Sequence, residues 1–261
     1  MPKAEDLQPD GIFRGLFVGK SGSGKTGAAC SFPEFVEDWD FDGRIRGLLG
    51  TPWVDRKKVI YESFPPKEKG MIMRIMNKVD NMQSLAIMGQ LNTKTTVIDS
   101  LTAETFAMLC QAKPLLAAEK SADTKGRRIA GYRMTGPAEY GFEADTTYNL
   151  LASLRSIPGM NLIVTAHLID RYGKENPDDE YSESVVVGER LSVRDKIAEN
   201  VPVYFDHIFR FDKRTINGKD RFTVKFRGDI CRTTFVDLPD GEIDITGVNF
   251  YEKLMSLIKK V

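Results

Sequence analysis

The stretch Gly15–Thr26, GLFVGKSGSGKT, decides how the rest of the chain is read. A short apolar run, Ile12 to Val18, passes directly into a glycine-rich turn, and a helix is predicted from Lys25 to Ser31, stopping before Pro33. The turn meets the pattern G-x-x-x-x-G-K-[ST] with Gly19, Gly24, Lys25 and Thr26. Glycines allow such a loop to curl its backbone N–H groups inward, and the start of the helix adds the positive end of a dipole. A loop over Gly19, Lys20, Ser21, Gly22, Ser23, Gly24, Lys25, Thr26 and Gly27 is therefore expected to hold the triphosphate of ATP. Lys25 would reach the β- and γ-phosphates, and the Thr26 hydroxyl would sit on Mg²⁺.

A second element lies downstream. Thr95 to Ile98 is a β-branched run closing on Asp99, a carboxylate placed to order the metal shell beside Thr26. Asp99 is followed by Ser100 rather than Glu, so the group that orients an attacking water must come from elsewhere. Phe35–Asp42 (FVEDWDFD) reads as a strand ending in carboxylates, which makes Asp40 and Asp42 the candidates, with Glu62 in reserve; both aspartates read equally well as turn residues leading into Gly43. His167 closes the apolar strand Asn161–Ala166 and is a candidate γ-phosphate sensor, the alternative being a hydrogen-bonded core histidine.

Between these motifs, strands and helices alternate. Val59–Phe64 reads as a strand. Lys67–Met88 reads as a helix whose Met71, Ile75, Val79 and Met82 face a core. Further helices are predicted over Thr102–Ala112, Glu139–Ile157 and Ser192–Glu199. Lys113–Pro137 and Leu168–Glu183 read as long charged surface loops. Asn217-Gly218 between His207–Ile216 and Lys219–Arg227 is a strong hairpin signal, and an amphipathic helix near Val248–Lys260 closes the chain. The fold class expected is α/β, a mainly parallel sheet flanked by helices with a C-terminal antiparallel hairpin. The predicted organisation is an arm over 1–10, a core over 11–245 and a terminal helix over 246–261.

Composition narrows the function classes. Lys+Arg and Asp+Glu are both 37, so no whole-chain basic footprint marks a nucleic-acid binder, and any such contact must come from a local patch. Cys30, Cys110 and Cys231 are scattered and odd in number, which argues against a disulfide framework or structural zinc and favours a reducing cytoplasm. The N-terminal residues carry no apolar signal segment, and no apolar run is long enough to span a bilayer, so a soluble protein with no membrane partner is expected.

The segments GLFVGKSGSGKT, WDFDGRI, TTVIDSLT, NLIVTAH and FDHIFRF, in this order, resemble the RecA-like ATPase core. More closely they resemble phage-encoded AAA-type nucleotide-binding proteins that act as single-strand annealing or recombination ATPases. The resemblance implies a RecA-type fold with ATP and Mg²⁺ held between subunits of a homo-oligomeric ring or filament, acting on single-stranded DNA with a single-strand-binding protein as partner, in the host cytoplasm if phage-encoded. RecA proteins carry Glu where this chain has Asp40 and Asp42, and commonly Gln where it has His167. The resemblance also places Lys113–Pro137 on the DNA path, with Lys125, Arg127, Arg128 and Arg133 neutralising phosphates and Tyr132 stacking on a base; a solvated loop is the alternative. A cation acting in trans is drawn from Lys225, Arg227 and Arg232. Two other functions stay open: a small-molecule or nucleotide kinase, for which Lys113–Arg133 would be a lid, and a slowly hydrolysing nucleotide-dependent loader or scaffold.

Overall fold

Leu16-Phe17-Val18 forms the middle of strand β1 (Arg14–Gly19), with all three side chains buried because both faces of the strand are covered. The computed structural model describes residues 11–118, 128–129, 132–133, 135–174, 184–228 and 230–258. After β1 come α1 (Lys25–Ala29), β2 (Val36–Asp40), β3 (Val59–Ser63), α2 (Met71–Ile87), β4 (Thr95–Asp99) and α3 (Leu101–Ala118). A two-residue ribbon, β5 (Arg128–Ile129) and β6 (Tyr132–Arg133), precedes α4 (Pro137–Arg155), β7 (Asn161–Lys174), β8 (Ser184–Leu191) and α5 (Asp195–Asn200). The chain then runs through β9 (His207–Ile216), β10 (Lys219–Lys225), β11 (Glu242–Asp244) and α6 (Phe250–Ile258).

The main sheet has the order β11-β10-β9-β1-β7-β4-β2-β3, with β8 paired to β7 outside this path. From β9 to β3 all pairings are parallel, and β10 and β11 add antiparallel strands at one side. The expected fold class holds. Alternation along the strands divides the core. Leu16, Val18, Trp39, Ile98 and Val164 pack against α2, α3 and α4, whereas Phe17, Val97, Ile163 and Phe209 pack on the face of α1 and α6. On α2 the buried positions are Met71, Ile75, Val79 and Met82, the spacing expected of a core-facing helix. Phe250 of α6 meets Phe17 and Phe211 at ring-centroid distances of 5.6 and 5.2 Å, so the last helix shares the core of the sheet.

Three sequence expectations are corrected. Asn161–Ala166 does not stop at His167: β7 continues to Lys174, and Leu168–Lys174 pairs antiparallel with β8 instead of forming a loop. Its pattern changes where its partners change. Leu162–Ala166 is buried throughout because β1 and β4 flank it, while beyond Leu168 the strand has β8 alone and most of its side chains face solvent. Second, α3 does not end at Ala112 but carries Pro114 inside and runs to Ala118; Gln111 pins it by donating to the carbonyls of Pro66 (2.8 Å) and Glu68 (2.9 Å). Third, the hairpin is joined by β11, a short strand whose residues gave no strand signal.

Register sets the site. Asp40 lies opposite Asp99 across β2 and β4, and Gly19 lies opposite His167 across β1 and β7. The carboxyl ends of the parallel strands thus meet at one edge, where α/β sheets hold their ligands.

Candidate nucleotide site

The loop after β1 closes around its own lysine. Lys25 Nζ donates to the carbonyls of Gly19 (2.9 Å) and Lys20 (3.0 Å) and to Ser23 Oγ (3.4 Å). Two glycines are demanded here by geometry. At Gly19 a Cβ would lie 2.1 Å from the Phe211 carbonyl oxygen, and Gly24, with φ +88, would press a Cβ against the Phe222 ring at 3.2 Å. Lys25 is buried, and burial pulls its pKa down to about 8, against the attraction of Asp99 and Asp42. An ammonium held in this way gains strongly from a polyanion brought to the loop.

Beside it stands a buried hydroxyl–carboxylate–hydroxyl chain. Thr26 Oγ1 donates to Asp99 Oδ2 at 2.7 Å, and Thr165 Oγ1, from β7, donates to Asp99 Oδ1. Burial raises the Asp99 pKa, and the two hydroxyl bonds oppose that rise. Thr165 was missed in the sequence because it sits in an apolar run that reads as core; a lone hydroxyl there is its only signal.

Asp42 and Asp40 part company. Asp42 Oδ2 lies 3.2 Å from His167 Nε2 and accepts from Ser100 Oγ at 3.1 Å. Burial pushes the Asp42 pKa up, but the His167 and Ser100 bonds together with His167 and Arg44 charge outweigh it, and the net direction is down. Asp40 instead accepts from the backbone N–H groups of Arg44 (3.0 Å) and Ile45 (3.4 Å), tying down the turn after β2. His167 Nδ1 is buried with no partner, and its backbone N–H donates to Thr102 Oγ1 at 3.3 Å. Glu62 lies on β3, bonded to Lys78 and Arg74.

Five of these groups, with Asp40, Thr165 and Glu62 not among them, line one cavity of about 340 Å³, a volume suited to a small ligand. They are Lys25, Thr26, Asp42, Asp99 and His167, joined there by Arg44, whose Nη1 donates to Ser21 Oγ at 2.7 Å. Arg44 was not singled out in the sequence, where it is one of many surface arginines. Lys20 points away from this cavity: its Nζ donates to Asp170 Oδ1 (2.9 Å) and lies 3.9 Å from Glu189, joining the loop to the β7–β8 ribbon.

The remaining candidates lie elsewhere. Lys225 pairs with Glu242 at 3.3 Å. Arg227 pairs with Asp240 at 3.1 Å, and Arg232 donates to the carbonyls of Pro202 and Phe205; none of the three lines this cavity. Of the DNA candidates, Lys125 and Arg127 fall outside the described residues, and Arg128, Tyr132 and Arg133 are described only as backbone of the β5–β6 ribbon. Among the described residues no cluster of three or more His, Cys, Asp or Glu could hold a metal ion by itself. The donors present, a hydroxyl and one carboxylate beside a phosphate cradle, are those Mg²⁺ takes when it is shared with a phosphorylated ligand. No helix among the described residues is long and apolar enough to cross a membrane.

No protein-family model matches the chain, and no curated protein matches it. Among solved structures, a KaiC-like protein from the hyperthermophilic archaeon Pyrococcus horikoshii OT3 is similar over 92% of each chain, with 16% identity and a TM-score of 0.42.

Proposed function

We propose that this chain is a RecA-like, Mg²⁺-dependent ATPase. The observation that carries the reading is the conjunction, in one cavity, of the lysine-centred loop, Thr26 with the Asp99 that Thr165 also bonds, and the Asp42–His167 pair. Backbone N–H groups at the start of α1 and the Lys25 ammonium would bind the polyphosphate, Lys25 exchanging its loop carbonyls for phosphate oxygens. Thr26 and Asp99 would hold Mg²⁺, which when bound neutralises charge on the β- and γ-phosphates. Asp42, ionised and steadied by His167 and Ser100, is the carboxylate placed to accept a proton from an attacking water. Arg44 supplies a cation from the same chain at this end of the cavity.

Single-stranded DNA is the effector we assign to this site. In support, an open cleft of about 1060 Å³ shares Asp42, Arg44 and His167 with the nucleotide cavity and is lined further by Phe106, Tyr140, Glu143, Arg190, Arg194, Asp195 and Lys196. Exposed Phe106 and Lys196 suit a base and a phosphate of an unpaired strand, while Arg190 and Arg194 are paired with Asp195 and Glu143. The annealing or recombination setting, and a ring or filament of identical subunits, come from the sequence resemblance.

The test is the ATPase rate with and without single-stranded DNA, beside a sizing measurement with ATP and Mg²⁺. Stimulated turnover in an assembled species is the expected result. A phosphorylated small product without DNA stimulation would replace this reading with a kinase, and tight binding with negligible turnover would replace it with a loader or scaffold.

A further inference from the structure

The segment 41–45 is pinned at both ends beside the phosphate loop. Phe41 N and Asp42 N donate to the Asp99 carbonyl at 2.8 and 3.3 Å. Arg44 N and Ile45 N donate to the Asp40 carboxylate at 3.0 and 3.4 Å. Arg44 therefore rises from a backbone tied to the ends of β2 and β4, and its Nη1 reaches the loop to donate to Ser21 Oγ at 2.7 Å.

Two observations set this arginine apart from the other cations. First, its charge reaches both halves of the chemistry. Burial lowers the Lys25 pKa, and the Arg44 charge lowers it further against the pull of Asp99 and Asp42. At Asp42 burial raises the pKa, and the Arg44 charge acts with His167 and Ser100 to lower it. The guanidinium thus stands within electrostatic reach of the phosphate-binding ammonium and of the carboxylate assigned to the attacking water. Second, its charge is uncommitted. Among the described residues Arg44 forms no ion pair, and the Ser21 hydroxyl is its one side-chain hydrogen-bond partner. Lys225, Arg227 and Arg232 are the opposite case. Lys225 faces Glu242, Arg227 is held by Asp240 and by the carbonyls of Phe235 and Val236, and Arg232 by those of Pro202 and Phe205. Each would have to give up these bonds before reaching a neighbour's phosphate.

In hydrolysis the water oxygen bonds to the γ-phosphorus as the bond to the β,γ-bridging oxygen breaks. The water proton passes to Asp42, and the bridging oxygen leaves on ADP with the electron pair. Charge growing on that oxygen is stabilised most by donors already in place. Arg44 would exchange one neutral hydroxyl for a charged oxygen, the stronger hydrogen bond.

We infer that Arg44 is the catalytic cation of this site, supplied in cis, so that turnover does not wait on a neighbouring subunit. The inference rests on the ATPase reading and deepens it. The sequence resemblance implies a cation in trans; here assembly serves strand binding and not the chemical step.

The experiment follows ATPase rate per chain in Mg²⁺ without DNA across a dilution series, with sizing at each concentration. It is repeated on Arg44→Ala, Arg44→Lys and an equal mixture of Arg44→Ala with Lys25→Ala, after thermal melts confirm folding. The wild-type rate per chain should hold constant as the chain dissociates. Arg44→Ala should lower kcat by roughly 10²–10³-fold with KM for ATP within about threefold, and Arg44→Lys should fall between. The mixture should stay as inactive as its parts, because a cis cation cannot serve a neighbour. Arg44→Ala should also weaken ADP–aluminium fluoride by roughly tenfold or more while sparing a non-hydrolysable ATP analogue. An arginine that only steadied the loop through Ser21 would affect the two ligands alike, and that result would overturn the inference. So would wild-type kcat in Arg44→Ala, activity restored in the mixture, or a wild-type rate per chain that collapses on dissociation. Full ATPase in Lys25→Ala would instead remove the phosphate-loop reading itself, which none of the Arg44 results touches.

Discussion

Replacing Thr165 with valine removes one hydroxyl and keeps the shape of a fully buried side chain. That hydroxyl donates to one oxygen of the Asp99 carboxylate while Thr26 holds the other at 2.7 Å. A hydrogen bond to a charged group is worth roughly 1.5–3 kcal/mol, and its loss here leaves a buried carboxylate oxygen without a donor. Asp99 then favours its neutral form further, in the direction burial already pushes it, and becomes a poorer partner for Mg²⁺. Groups that orient a metal ligand typically cost 10–100-fold in metal affinity when lost, so Thr165→Val should raise the Mg²⁺ concentration for half-maximal ATPase by about that range. Thr96→Val is the matched control. Thr96 is equally buried on the neighbouring β4, but its hydroxyl lies 3.1 Å from the Met160 sulfur, a weak acceptor. The assay is a Mg²⁺ titration of ATPase rate in both variants, with thermal melts to confirm folding. If the two variants and wild type share one Mg²⁺ dependence, the assignment of Asp99 and its hydroxyls to the metal is wrong.

Other outcomes follow from the same geometry. Asp42→Asn should lower turnover by roughly 10²–10⁴-fold with nucleotide affinity kept, whereas Asp40→Asn should mainly loosen the 44–45 turn and lower stability by about 1–3 kcal/mol; the reverse pattern in rate and melting measurements would exchange their roles. His207 is stacked between Phe13 (4.7 Å) and Phe235 (4.2 Å), and burial holds its pKa down to about 4 from 6.5. It stays neutral in the fold while the unfolded chain takes up the proton. Its stabilising contribution is therefore complete above pH 6.5 and disappears as pH falls towards 4, a loss of about 3 kcal/mol at about 1.4 kcal/mol per pH unit. Urea denaturation at pH 7 and pH 4.5 should show that loss in wild type and much less of it in His207→Phe; parallel losses would remove His207 as the cause. Lys20→Ala should release the β7–β8 ribbon from the phosphate loop and speed amide exchange in Leu168–Lys174 and β8 several-fold. Unchanged exchange would show that the Lys20–Asp170 bond does not anchor it.

The parts legible in the sequence were those whose chemistry is local. The phosphate loop needs glycine backbone freedom and one lysine within a few residues, and a strand closing on Asp99 announces itself by its β-branched run. The Asn217-Gly218 turn likewise fixed the hairpin register without help from the rest of the chain. What stayed hidden depends on partners distant in sequence. Thr165 acquires its role only because β7 lies between β1 and β4 and meets Asp99. The extension of β7 was unreadable because β8, its partner, begins at Ser184 and is itself mostly exposed. Asp42 and Asp40 were equivalent as letters and became distinct when the turn at Arg44 took one of them. Phe222 and Arg44 were ordinary residues until the fold turned them towards the loop.

The most direct measurement is a crystal structure of the chain with a non-hydrolysable ATP analogue and Mg²⁺. The triphosphate should lie against the backbone N–H groups of Gly22–Thr26, with Lys25 Nζ moved from the Gly19 and Lys20 carbonyls to phosphate oxygens and the metal next to Thr26 and Asp99. An analogue bound elsewhere, with Lys25 still bonded to its own loop, would contradict the account.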